Sequence, residues 1–128
     1  MKTIVIADDS HTARLFIKQC LVIIGFDKEK IIEVENGKDA LKAVKSCHVD
    51  LLLTDLNMPV MDGETLVKWV KSSPKLSDMP VVVITSVGNP AKESHLLGLG
   101  VQAVLNKPVT PLDLQGVLGK QLTEQWRC

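Results

Sequence analysis

The chain has 128 residues, and its 15 Lys plus Arg balance its 15 Asp plus Glu. That length suits one domain covering 1–128, and a neutral balance with no Lys/Arg-rich run removes any bulk attraction to nucleic acid or membrane surface. With 45% hydrophobic residues the chain is globular, yet no stretch nears the roughly 20 apolar residues of a membrane helix, and the short N-terminal apolar run meets two acids too soon for a secretory signal. A cytoplasmic location is expected.

In chain order, residues 3–7 read as a buried strand, because Ile4-Val5-Ile6-Ala7 is a continuous apolar run. It ends in Asp8-Asp9. A long apolar helix follows over 11–24, with Gly25 as its stop. Residues 31–34 form a short strand leading to Asn36-Gly37. Residues 38–46 are amphipathic, with Ala40, Leu41 and Val44 on one face. Leu51 to Thr54 is the third strand, and it runs into Asp55.

A loop with Asn57-Met58-Pro59 and Asp62-Gly63 comes next. Asp62 is the candidate N-cap of a helix over 64–71, with Leu66, Val67 and Val70 inward. Residues 81–84 make the fourth strand. Asn89-Pro90 signals a cap with proline at the first helical position, opening a short helix that ends near Gly98 and Gly100. Residues 102–105 make the fifth strand. Thr110-Pro111 repeats the cap signal, and Leu114, Val117, Leu118, Gln121 and Leu122 form a helical stripe.

Cys20, Cys47 and Cys128 form no C-x-x-C pair, and an odd count argues against a disulfide framework. Cys20 and Cys47 are expected in the core, and Cys128 as a loose terminal thiol. His11, His48 and His95 lack zinc-ligand spacing and are read as ordinary surface or packing residues. His11 stands near enough to the acid pair to tune it.

Five alternating β–α units imply an α/β fold: a doubly wound five-stranded parallel sheet with helices on both faces and right-handed crossovers. Ligands of such folds bind beyond the carboxyl ends of the strands. Asp8, Asp9, Asp55, Thr85 and Lys107 all fall at that edge. Singly, each has an ordinary role as turn residue, buried hydroxyl or solvated charge. Jointly, turn chemistry accounts for them poorly. Three carboxylates held a few ångströms apart cannot all stay ionised without a neutralising cation. Hard oxygen donors favour Mg²⁺, with Asp8, Asp9, Asp55 and the Asn57 carbonyl as ligands. A free Asp55 oxygen could then attack phosphorus. The metal, Lys107 and Thr85 could share the charge on the equatorial oxygens. Ser86 is small enough to leave access, and its N–H could donate as well.

The segments Asp8-Asp9-Ser10, Asp55-Leu56-Asn57-Met58-Pro59-Val60-Met61-Asp62-Gly63, Val83-Ile84-Thr85-Ser86 and Asn106-Lys107-Pro108 carry a resemblance. In this order, over nearly the whole chain, they resemble the response-regulator receiver domain, the CheY-like family. The resemblance implies a flavodoxin-like (βα)5 fold with strand order 2-1-3-4-5, an order that comes from the family rather than from element spacing. It implies that Asp55 accepts phosphate from a histidine kinase or a histidine phosphotransfer protein, and that phosphorylation changes binding to a downstream protein target. It further implies a cis Lys107–Pro108 bond and a phosphodonor surface that includes Ser10 and the start of the first helix. Such a protein is a signalling module that catalyses only its own phosphorylation and autodephosphorylation. Trp126-Arg127-Cys128 after the last helix and Met1 directly before the first strand favour a stand-alone module over a receiver cut from a hybrid kinase. No charge set on the last two helices suggests a paired dimer, so a monomer is expected.

One position departs from the family pattern, and a second bears on dephosphorylation. Where receivers carry Tyr or Phe three residues before the Lys of Lys-Pro, this chain has Val104, and it has no Tyr at all. The phosphorylated state is therefore expected to be read through the loop over 85–89 or through the first helix, or the chain passes phosphate onward. Val87, two residues after Thr85, cannot orient water, so dephosphorylation is not expected to be fast. Val101, Val104 and Leu105 are expected to lend apolar character to the partner face that relatives build from the fourth helix, fifth strand and fifth helix, with some of these side chains turned to the core.

Two other classes fit less well. An aspartyl-nucleophile phosphatase of the dominant kind wants Asp-x-Asp, and here Asn57 stands at the second position. A flavin carrier wants a Ser/Thr/Gly phosphate loop after the first strand, where Asp8-Asp9 repel phosphate.

Overall fold

The computed structural model describes residues 2–26 and 29–124, with side-chain surroundings given through residue 118. In chain order the elements are β1 (Thr3–Ala7), α1 (His11–Ile23), β2 (Lys30–Val34), α2 (Gly37–Ser46), β3 (Leu51–Thr54), α3 (Gly63–Ser72), β4 (Val81–Thr85), α4 (Pro90–Leu99), β5 (Ala103–Asn106) and α5 (Pro111–Glu124). The five strands form one parallel sheet in the order β2-β1-β3-β4-β5.

The inner strands are apolar throughout because both sheet faces are covered. Side chains alternate between faces with period two. Ile4, Ile6, Leu51, Leu53, Val82 and Ile84 pack with Ile17, Leu21, Leu114 and Leu118 of α1 and α5. Val5, Ala7, Leu52, Val81 and Val83 pack on the other side with Ala40, Val44, Leu66, Val70 and Leu96 of α2, α3 and α4.

Every helix opens on a side-chain cap. Ser10, Asn36, Asp62 and Asn89 accept from the N–H groups of Ala13, Asp39, Thr65 and Lys92. Thr110 and Asp113 bond each other's backbone N–H reciprocally, a capping box. α1 ends as expected at Gly25, whose φ of 101° is left-handed. Gly25 N–H donates to Val22 O and Phe26 N–H to Leu21 O, and Phe26 and Leu21 are both buried beneath the stop.

α3 begins one residue earlier than the sequence suggests. A Cβ on Gly63 would collide with the Asp55 carbonyl oxygen. The glycine belongs to the helix because the first turn of α3 sits against the end of β3. Gly98 lies inside α4, and only Gly100, at φ 108°, ends it. β4 and β5 each extend one residue further than expected, to Thr85 and Asn106, because those two residues pair in register.

One placement is corrected. Cys20 is buried as expected, but Cys47 is exposed, because it stands at the C-cap of α2, past the last inward position. Cys128 lies outside the described residues, as does Trp126. Val101 is buried, and Val104 and Leu105 pack on opposite core clusters, since adjacent strand residues face opposite ways. Val101 is thus enclosed in the core, as expected of some of the three, while Val104 and Leu105 stay partly exposed. No helix among the described residues is long and apolar enough to cross a membrane.

Candidate functional site

Register builds the site. Ala7 pairs with Thr54, so Asp8 and Asp55 leave the sheet side by side. Asp55 N–H donates to Ala7 O at 2.9 Å. On the other side Thr85 pairs with Asn106, and Lys107 N–H donates to Thr85 O at 2.9 Å. The chain then turns at the cis Lys107–Pro108 bond, and the lysine head lies back across the strand ends.

Asp8, Asp9 and Asp55 each offer a carboxylate oxygen within 4.8 Å of the others. Asp8 is 2% and Asp55 8% exposed, whereas Asp9 faces solvent. Lys107 Nζ donates to Asp8 Oδ2 at 2.7 Å and to Asp55 Oδ2 at 3.0 Å. Ser10 N–H holds the other Asp8 oxygen at 2.9 Å, and Leu56 N–H the other Asp55 oxygen at 2.7 Å. Burial on its own would lower the Lys107 pKa. The hydrogen bonds and charges of Asp8 and Asp55 outweigh it and hold the ammonium above the ordinary lysine value. One ammonium still faces three carboxylates. A hard divalent cation with oxygen ligands fits this donor set and its excess of negative charge.

The sequence also singled out Thr85, Ser86 and Asn57. Thr85 is buried at the end of β4, and its Oγ1 accepts from Val87 N–H at 3.1 Å. That leaves the hydroxyl hydrogen able to donate elsewhere. Ser86 and Asn57 are exposed at the rim. Among the described residues, none of these three side chains bonds to the acid–lysine cluster. His11 is exposed on the first turn of α1.

Two residues beside the site escaped sequence reasoning. Val60 has φ 69° and is 77% exposed. With Met61 N–H on Pro59 O at 2.7 Å, it is the centre of a γ-turn in the loop that follows Asp55. Nothing in a valine signals that conformation. Arg14 is buried and its Nη1 donates to the Asp8 carbonyl at 2.6 Å. The faint signal for it was a pair of glutamates, Glu33 and Glu35, on the neighbouring strand and the loop after it.

Residues 4–118 match the family described as the response regulator receiver domain. A chemotaxis protein CheY homolog of Campylobacter jejuni is 40% identical over 124 residues, covering 93% of this chain and 93% of its own. Chemotaxis protein CheY1 of Helicobacter pylori is 38% identical over 112 residues, covering 87% of this chain and 88% of its own. Among solved structures, the chemotaxis response regulator CheY4 of Vibrio cholerae is similar with a TM-score of 0.81 at 27% identity, over 94% of this chain and 98% of that one. Sheet order, strand-end acids and sequence agree, and the chain belongs to the response regulator receiver domain family, homologous to CheY.

Proposed function

We propose that Asp55 is the phosphoacceptor of a Mg²⁺-dependent receiver, loaded from a phosphohistidine on a histidine kinase or phosphotransfer protein and read by a downstream protein target. The observation that carries this reading is the Asp55 carboxylate, grouped with Asp8 and Asp9 within 4.8 Å and bonded to Lys107 at 3.0 Å. Asp8, Asp9 and Asp55 would hold the metal, with the Asn57 carbonyl as a further ligand. When bound, the metal supplies Lewis-acid charge to the phosphoryl oxygens.

In the transfer an Asp55 oxygen forms a bond to phosphorus as the phosphorus–nitrogen bond of the donor breaks, and the imidazole leaves. Charge in the loose transition state spreads over the equatorial oxygens. Lys107 is placed to take one of them by exchanging its carboxylate bonds for a phosphoryl bond. The Thr85 hydroxyl, which accepts from Val87 N–H, would give its own hydrogen to another, and exposed Ser86 keeps the approach open. A single receiver domain, monomeric and cytoplasmic, goes with this reading.

The response is read through residues 85–89 or through α1, because Val104 has no ring to swing and is already packed on the core. Beryllofluoride-induced NMR shifts test this. A response along β5 as large as in aromatic-bearing relatives would overturn it. The chemistry itself is tested by stoichiometry. Acetyl phosphate with Mg²⁺ is expected to load one phosphoryl group per chain, with no steady hydrolysis of a generic phosphate ester. Sustained turnover of such an ester would favour a phosphatase instead.

A further inference from the structure

Among the described residues, the phosphoryl chemistry leaves one buried charge without a task. Arg14 lies on the first full turn of α1 and is 7% exposed. A buried guanidinium is costly unless each part of it is paired. Here Nη1 donates to the Asp8 carbonyl at 2.6 Å, Nε donates to Glu33 Oε1 at 3.0 Å, and Nη2 lies 4.0 Å from Glu35 Oε1. Lys18, four residues along the same helix, holds the other Glu33 oxygen at 3.0 Å. Burial would raise the Glu33 pKa, but hydrogen bonds from Lys18 and Arg14 keep it below the ordinary glutamate value. Glu33 is thus a charged anchor on β2.

What Arg14 grips from that anchor is the peptide joining Asp8 to Asp9. Asp8 N–H makes the last sheet bond of this segment, to Val34 O at 3.1 Å. Beyond it the chain leaves β1. The orientation of the Asp8 carbonyl fixes how the Asp9 side chain projects relative to that of Asp8. Mg²⁺ demands near-ideal octahedral geometry with short bonds, so small displacements of a carboxylate are costly. Changing groups that hold the ligands typically costs about 10–100-fold in metal affinity.

We infer that Arg14 is a positioning residue for the metal site, clamping the Asp8–Asp9 peptide to Glu33 so that the two carboxylates stand where a small divalent cation needs them. This rests on the Mg²⁺ reading above. The planar fork matters, because a lysine ammonium at this position cannot reach Glu33 and the Asp8 carbonyl in the same geometry.

The test is a Mg²⁺ titration followed by amide NMR, beside thermal melts, for wild type, Arg14→Lys, Arg14→Met, Glu33→Gln and a core control, Val44→Ala. The Arg14 variants are expected to weaken Mg²⁺ binding about tenfold or more. Glu33→Gln is expected to move affinity in the same direction. Val44→Ala should lower Tm with affinity left within about twofold of wild type, since a buried truncation far from the site costs only packing. If Arg14→Met does not fold, Arg14→Lys and Glu33→Gln decide. Folded Arg14 variants that bind Mg²⁺ as tightly as wild type would overturn the inference alone. So would a Val44→Ala chain whose affinity falls in step with its Tm. No Mg²⁺ binding by wild type would remove the metal reading and this inference together.

Discussion

Lys107 does two opposed things. It is the counter-charge for two nearly buried carboxylates, and on the proposed function it would compete with a cation for them. Without Mg²⁺, Lys107→Ala is expected to destabilise the fold by about 2 kcal/mol, because it leaves Asp8 and Asp55 without their counter-charge. Saturating Mg²⁺ is expected to restore more stability in that variant than in wild type. Urea melts with and without Mg²⁺ check both. The pKa of this lysine is raised by its partners, so its contribution is complete below the ordinary lysine value. It fades only as pH climbs through the folded value, above about 10.4.

Val60 makes a simpler case. A β-branched residue in the left-handed region stores strain. Val60→Gly, which has no Cβ to strain at positive φ, is expected to raise stability in a thermal melt, with little effect on burial at an exposed position.

Some of this was legible residue by residue. Asp8, Asp9, Asp55 and Lys107 announce themselves because acids and a lysine interrupt apolar strands at their ends. Arg14 does not. A charged residue on a helix reads as solvent-facing, and its burial depends on β2, which lies next to β1 only once the sheet has formed.

At the scale of elements, the caps were the most readable feature, since Asp62 and Asn89-Pro90 declare helix starts by side-chain chemistry alone. Gly37 and Gly63 hid the true first residues of α2 and α3. A glycine there looks like loop until the packing against Met61 and Asp55 is known. The Asp62 cap gives a pH test. Backbone and side-chain hydrogen bonds with Thr65 are the largest influences and hold the Asp62 pKa below its ordinary value. Its stabilisation is therefore present above the unfolded aspartate pKa, near 3.9, and is lost as pH falls through the lower folded value. Asp62→Ala is expected to cost about 1 kcal/mol at neutral pH. The gap to wild type is expected to close in acid. A gap that stays constant down to the acid transition would contradict the cap account. The exposed Cys47 shows the limit of pattern reading here: one residue past Ser46, α2 has ended and the inward stripe no longer applies.

At the scale of the whole molecule, the sheet is what makes the site possible. Continuous apolar strands could be read as parallel and doubly covered. Their order could not be read from spacing, because it depends on which crossover packs on which face. That order puts β1 and β3 adjacent at the centre, so three acids from distant segments meet at one edge beside a lysine that follows β5. On the proposed function, metal binding at this edge would be coupled to folding. A ligand that binds only the folded state at a hundred times its Kd adds about 2.7 kcal/mol. Mg²⁺ is expected to raise wild-type stability in this way and to do so far less in Asp8→Asn.

The most direct measurement of the account is the intact mass of wild type and Asp55→Asn after acetyl phosphate treatment, each with Mg²⁺ and with a chelator. One added phosphoryl group on wild type, only with Mg²⁺ and never on Asp55→Asn, is the expected result. Equal phosphorylation of Asp55→Asn, or loading of wild type that ignores the chelator, would contradict it.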